Sequence, residues 1–125
     1  MEFKKCPIET AVGYIGKKWS VNIIRDIFFG KKRFREFLES NKELSTKMLS
    51  ERLRELEKDG IIFKDIKSKT PLIIGYALTD KGKFLNKIIF EMAMFSMKHC
   101  QNEVFNNKTS YPQSVKEIKK LLGIH

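Results

Sequence analysis

The sequence predicts a mainly α fold with one small β-hairpin, an α+β arrangement, and three observations carry that expectation. Apolar residues recur at helical spacing through residues 7–60 and again through 79–102. Two short runs rich in β-branched and aromatic residues, 61–67 and 73–79, lie between them. Residues that cap or stop helices stand at the joints.

Pro7 suits the first position of a helix, because the N–H it lacks would have been unpaired there. Ile8, Ala11, Val12 and Ile15 then share one face, and Gly16 ends the turn. A second helix is expected from about residue 20 to 29, with Ile23, Ile24, Ile27 and Phe28 inward and Gly30 just past its end. A short third helix covers about 33–39 and buries Phe34, Phe37 and Leu38, followed by a turn at Asn41-Lys42-Glu43. Ser45 is a good N-cap for the fourth helix, and Leu44 and Leu49 can staple its entry. Leu49, Leu53 and Leu56 make its buried face, and Gly60 stops it.

The two strand-like runs are joined by Ser68-Lys69-Thr70-Pro71-Leu72, which makes a hairpin with a basic tip. Thr79 caps a helix expected to continue to about residue 102. That helix has two apolar stripes. One is Phe84, Leu85, Ile88, Ile89, Met92 and Phe95; the other is Phe90, Met94 and Met97. A helix apolar on most sides is buried on most sides, and the simplest second cover is another copy of the chain. The other cover available is the first helix and the tail. Ile8, Val12, Ile89, Phe90, Met94 and Met97 are the residues expected at such a dimer interface. Residues 105–111 read as a loop, and Pro112 opens a last helix to about residue 122. The expected division is a domain over residues 1–104 and a loop and short helix over 105–125 that pack on the dimer.

The chain has 125 residues, enough for one modest core, and 42% of them are hydrophobic. Lys and Arg number 25 against 15 Asp and Glu, a formal net charge of +10. Such an excess favours a polyanionic partner, because basic groups meeting phosphates release counterions. The charge is uneven: Lys17, Lys18, Arg25, Lys31, Lys32, Arg33 and Arg35 face one acid, Asp26, in residues 17–35. A second basic block fills residues 61–89, so the two flank the fourth helix. No secretory signal or membrane-length apolar run is present, and a soluble cytoplasmic protein is the expectation.

The helical order with its hairpin is that of a winged helix-turn-helix, and the fourth helix is its recognition helix. Relative to Leu49, Lys47, Glu51, Arg54 and Lys58 point away from the core, with Thr46 and Ser50 beside them. Ser45, Thr46, Lys47, Ser50 and Arg54 are therefore candidate DNA contacts, Arg54 being the better bidentate reader of guanine. Lys32 and Arg33 before the third helix, and Lys67 and Lys69 on the hairpin, are candidate backbone contacts. Arg52 lies nearer the core edge and is expected to pair with a protein acid.

Several motifs occur in a familiar order: Cys6-Pro7-Ile8-Glu9, Gly16-Lys17-Lys18-Trp19-Ser20, Gly30-Lys31-Lys32-Arg33-Phe34, the run from Leu44 to Leu56, and Tyr76-Ala77-Leu78-Thr79-Asp80-Lys81-Gly82. Together they resemble the HxlR family of transcription regulators, relatives of the MarR group. The resemblance covers about residues 6–100 and implies a homodimer on a roughly palindromic operator, repressing or activating neighbouring genes. It also implies oxidant or electrophile sensing, which several members perform through a cysteine at the position of Cys6. The family commonly has two glycines before its Lys-Trp pair, where this chain has Gly16-Lys17.

Cys6 precedes a helix and follows Lys4 and Lys5, a setting that favours the reactive thiolate. Cys100 is its candidate redox partner, reached across two subunits. His99-Cys100 without a second cluster makes a poor metal site, and no metal or other cofactor is expected. A small effector is an alternative signal, in apolar space near Trp19, Phe28 and Phe95. The chain has two histidines, no phosphate-cradling Gly-rich loop and no nucleophile with an evident base, so it does not read as an enzyme. The other functional class to weigh is a winged-helix module whose basic surface meets an acidic protein.

Overall fold

The computed structural model describes residues 2–106 and 111–125. They fall into two compact units, Met1–Gly82 and Lys83–His125, a division nearer the N-terminus than one at residue 104.

The N-terminal unit contains α1 (Pro7–Ile15), α2 (Ser20–Phe28), α3 (Phe34–Ser40), α4 (Thr46–Lys58), β1 (Ile62–Lys69), β2 (Leu72–Leu78) and the short α5 (Asp80–Lys83). Ile23 and Ile24 of α2, Phe37 of α3 and Leu49, Leu53 and Leu56 of α4 meet Ile61, Ile62 and Leu78 of the hairpin region, all buried. For α2 to α4 these lie on the stripes read from helical periodicity, whereas α1 buries no residue.

Ser45 caps α4 as expected, its hydroxyl accepting the Met48 N–H at 3.1 Å, and Leu44 and Leu49 on either side of it are buried. Gly60, at φ +76°, ends the helix in the left-handed region that a side chain resists. A second polar device pins α2 to the turn before α4. Asp26, 3% exposed, accepts two bonds from Arg25 and one from Asn41, whose amide nitrogen also donates to the Phe37 carbonyl. Among the described residues no buried side-chain polar atom lacks a partner, which is the condition for burying this cluster at little cost.

A third device ties α4 to the turn between α1 and α2. Arg52 donates from Nε to the Lys18 carbonyl at 2.8 Å and from Nη1 to both oxygens of Glu55. Lys17, which stands where a second glycine is common, donates to the same carboxylate at 3.1 Å. Arg52 therefore does find a protein acid. The turn so held contains Trp19 at φ +79°, a left-handed conformation costly for a residue with a side chain.

The hairpin is antiparallel, with Ile62 opposite Leu78 and Lys64 opposite Tyr76. A bulge between Ile66 and Ser68 leaves Lys67 without an opposite residue. That extra residue lets Ser68, Lys69 and Leu72 join the strands, so the connection is shorter than the five-residue loop expected.

One continuous long helix was expected from Thr79; the chain instead forms α5, then α6 (Asn86–His99) and α7 (Gln101–Val104). Thr79 does cap α5, accepting the Gly82 N–H at 3.1 Å. A Cβ on Gly82 would lie 2.2 Å from the Ile61 carbonyl oxygen, so α5 is seated closely on the strand entry.

In the C-terminal unit, α8 (Tyr111–Leu121) lies along α6. The Asn86 side chain donates to the Leu122 carbonyl at 3.1 Å, the Lys119 ammonium sits 5.6 Å from the Phe90 ring centre, and the Tyr111 hydroxyl is 4.0 Å from the Met94 sulfur. Of the loop expected over 105–111, residues 107–110 lie outside the described residues.

Leu53→Ala should destabilise the N-terminal unit by about 2–5 kcal/mol, and Ser45→Ala by about 0.5–2 kcal/mol, read from urea unfolding. The Glu55 carboxyl is held below its ordinary value of 4.5, first by the Lys17 hydrogen bond, with desolvation opposing and the charge of Arg52 adding. A depressed folded value means that this stabilisation is full above the unfolded value and is lost as pH falls through the folded one. The stability difference between the wild type and Glu55→Gln should therefore shrink below about pH 4.5, as measured by unfolding midpoints across an acid series.

Candidate nucleic-acid interface

With Leu49, Leu53 and Leu56 turned inward, α4 presents an outward ridge. Ser45, Thr46, Lys47, Arg54 and Lys58 are exposed, and Ser50 and Glu51 are half-buried along its sides. The Ser45 hydroxyl is engaged as the helix cap, which leaves Thr46 as the freer hydroxyl at the leading end. Among the described residues, Lys47, Arg54 and Lys58 form no ion pair, so their charge is not cancelled by a neighbouring carboxylate.

Lys32 and Arg33 are exposed at the entrance of α3. Their position is fixed from two sides. Both backbone N–H groups donate to Glu36 at 3.0 Å, which holds that carboxyl below its ordinary value. The Lys32 carbonyl accepts from the Tyr76 N–H at 2.8 Å, joining this turn to β2. The α3 entrance and the hairpin are therefore one rigid shoulder beside α4.

On the hairpin, Lys69 is exposed and makes no ion pair among the described residues. Lys67, at the bulge, donates to Asp65 at 2.5 Å. Its charge is partly compensated by an acid two residues away on the same strand.

Two groups that sequence reasoning missed stand at the base of the hairpin. Lys64 and Tyr76 lie across from each other and line a cleft of about 210 Å³ against α4, with Ser50, Arg54 and Glu57 on its other wall. The signal was available in principle. Strand alternation from the buried Ile62 places Lys64 on the face that meets α4.

The candidate redox residues are placed as follows. Cys6 is exposed at the N-cap of α1, its carbonyl accepting the Thr10 N–H at 3.0 Å, and Pro7 follows as the first helical residue. Cys100 is half-buried at the junction of α6 and α7.

The expected interface residues divide. Ile8 and Val12 of α1 are exposed, 76% and 58%. Ile89 and Met97 of α6 are instead buried, and Phe90 and Met94 face α8 within the same chain. The apolar stripe left open on α6 is the other one: Phe84, Ile88, Met92 and Phe95, the last 64% exposed. Helical spacing grouped the buried Ile89 with these open residues and carried no information on which stripe α8 would cover. Of the groups named for a small effector, Trp19 and Phe28 are half-buried in the N-terminal unit and Phe95 belongs to this open stripe.

Among the described residues no cluster of His, Cys, Asp and Glu is arranged to hold a metal ion, and no helix is long and apolar enough to cross a membrane.

Known proteins share this arrangement. The family model for an HxlR-like helix-turn-helix matches residues 14–104. The HTH-type transcriptional regulator YodB of Bacillus subtilis (strain 168) is 38% identical over 97 residues, which cover 77% of this chain and 87% of YodB. The solved structure of reduced YodB from B. subtilis superposes with a TM-score of 0.67 at 37% identity, covering 78% of this chain and 97% of the other. The redox regulator HypR in its oxidised form gives a TM-score of 0.70 at 34% identity, covering 75% and 97%. With the family model spanning most of the chain and YodB matched over 87% of its length, this protein belongs to the HxlR-like helix-turn-helix family and is a transcriptional regulator.

Proposed function

We propose that this regulator is a homodimeric repressor that places one α4 in each half of a palindromic operator. The observation that supports it best is the outward ridge of α4, whose exposed cations have no carboxylate partner among the described residues. Thr46, Lys47 and Arg54 address base edges and adjoining phosphates, while Lys32, Arg33 and Lys69 hold the backbone on either side. In a dimer, a second copy covers Ile8 and Val12 of α1 and the open stripe of α6, large apolar side chains otherwise left in water. Residues 1–104 supply the reading and dimerising parts and 105–125 the tail that packs on the dimer. The protein works in the cytoplasm, where its DNA is.

A winged-helix module for an acidic protein would bind through the same basic surface but would not discriminate between DNA sequences. Salt-dependent binding to the promoter of a neighbouring gene, stronger than to random duplex, separates the two.

The signal is an oxidant or electrophile acting at Cys6. Its exposure at a helix N-terminus favours this reading, and so does the likeness to HypR, itself a redox regulator. Loss of two thiol protons and two electrons to the oxidant would join Cys6 of one subunit to Cys100 of the other and change the spacing of the recognition helices. A small ligand is the competing effector.

Arg54→Ala should reduce discrimination at one operator position by about 1–3 kcal/mol. Lys69→Ala should weaken all sequences alike and flatten the salt dependence, both read by fluorescence anisotropy on operator and scrambled duplexes. Oxidised wild type should run as a dimer in non-reducing electrophoresis and Cys6→Ser as a monomer; a monomer band from the oxidised wild type would remove the redox reading.

A further inference from the structure

We infer that the cleft between α4 and the base of the hairpin is a binding site for one phosphodiester group of the DNA backbone, held by Lys64 and Tyr76. The inference rests on the DNA-binding reading above and adds to it a place where the duplex is gripped.

The cleft follows from the register of the hairpin. Ile62 and Lys64 share one face of β1, and Tyr76 and Leu78 the opposite positions of β2. Burying Ile62 and Leu78 in the core therefore brings Lys64 and Tyr76 up beside the helix. There they line a space of about 210 Å³ with Ser50, Arg54 and Glu57, floored by Leu53.

Several cations near the helix are matched, Lys17 and Arg52 by Glu55, Arg25 by Asp26 and Lys67 by Asp65, while the cations of this space, like Lys47 and Lys58 on the ridge, are not. Among the described residues, neither Arg54 nor Lys64 has a carboxylate within 4.0 Å. Glu57 lines the cleft without closing onto either of them. Two cations and one carboxylate leave a single positive charge, which one phosphodiester neutralises.

Hydrogen-bond donors are also available. The hydroxyls of Ser50 and Tyr76 have no protein partner among the described residues, while the Tyr76 ring is braced edge-on against Phe37, centres 6.2 Å apart. Burial, and then Glu57, push the Tyr76 phenol above its ordinary value, so it keeps its proton and donates at neutral pH. Ammonium, guanidinium and two hydroxyl donors are the groups that hold a phosphate without reading sequence.

The site would also set register. Arg54 belongs both to the cleft wall and to the outward ridge. A phosphate fixed by Lys64 and Tyr76 holds the duplex where that guanidinium can reach the adjacent base edge.

The test uses a fluorescein-labelled duplex of random sequence and a salt series, with thermal melts to confirm that each variant folds. Lys64→Ala should lower affinity and reduce the slope of log affinity against log salt by about one, the release of one phosphate's counterion. Tyr76→Phe should lower affinity about two- to tenfold and leave the slope unchanged. Glu57→Gln should raise affinity, a gain that impaired folding cannot mimic. An unchanged slope in Lys64→Ala, or no gain in Glu57→Gln, overturns the inference while leaving DNA binding by the other cations intact. A wild type that binds no duplex at any salt removes the DNA reading itself, and this one with it.

Discussion

The structure depends on the burial of Leu49, Leu53 and Leu56, which decides which side of α4 faces out. Rotating the helix by one residue, about 100°, would drive Ser50 and Arg54 into the core and bring leucines into water. The leucine face therefore fixes the polar ridge as firmly as it fixes the fold. The helix is then held from two sides, by polar ties on one and by packing on the other. Arg52 and Glu55 attach it to the turn that carries α1, and the hairpin shoulder attached to Lys32 stands on the other side. The Ser45 cap sets where the ridge begins.

Most of this was legible in the chain because it is local. Periodicity gives the buried faces of α2 to α4, Ser45 and Gly60 mark the ends of α4, and alternation marks the strands. What escaped depends on contacts between distant residues. Gly82 lies against the Ile61 carbonyl, and no window of sequence around Gly82 contains Ile61. The two stripes of α6 are equally apolar in sequence, and only the seat of α8 shows that Phe90 and Met94 are covered within the chain. The register of the hairpin places Lys64 opposite Tyr76 of the other strand.

Family membership gives the scaffold and the class of function, and the details on this chain's surface give it an individual character. Lys17 adds a cation to the turn above α4 and binds Glu55, so the turn bearing the left-handed Trp19 is tied to the recognition helix. A shift of α1, which carries Cys6, would then reach α4 through Lys17, Lys18 and Arg52 without passing through the apolar core. The same α1 bears the exposed Ile8 and Val12, so the proposed subunit contact and the proposed signal at Cys6 fall on one helix.

The central claim is that two copies of α4, related by a two-fold axis, enter successive major grooves of one duplex. Selection of bound sequences from a random DNA pool measures this most directly. The account predicts an enriched inverted repeat whose half-site centres lie about one helical turn apart, roughly 34–36 Å, or a whole multiple of it. A pool that yields a single unrepeated half-site, direct repeats, or no enriched sequence would contradict it.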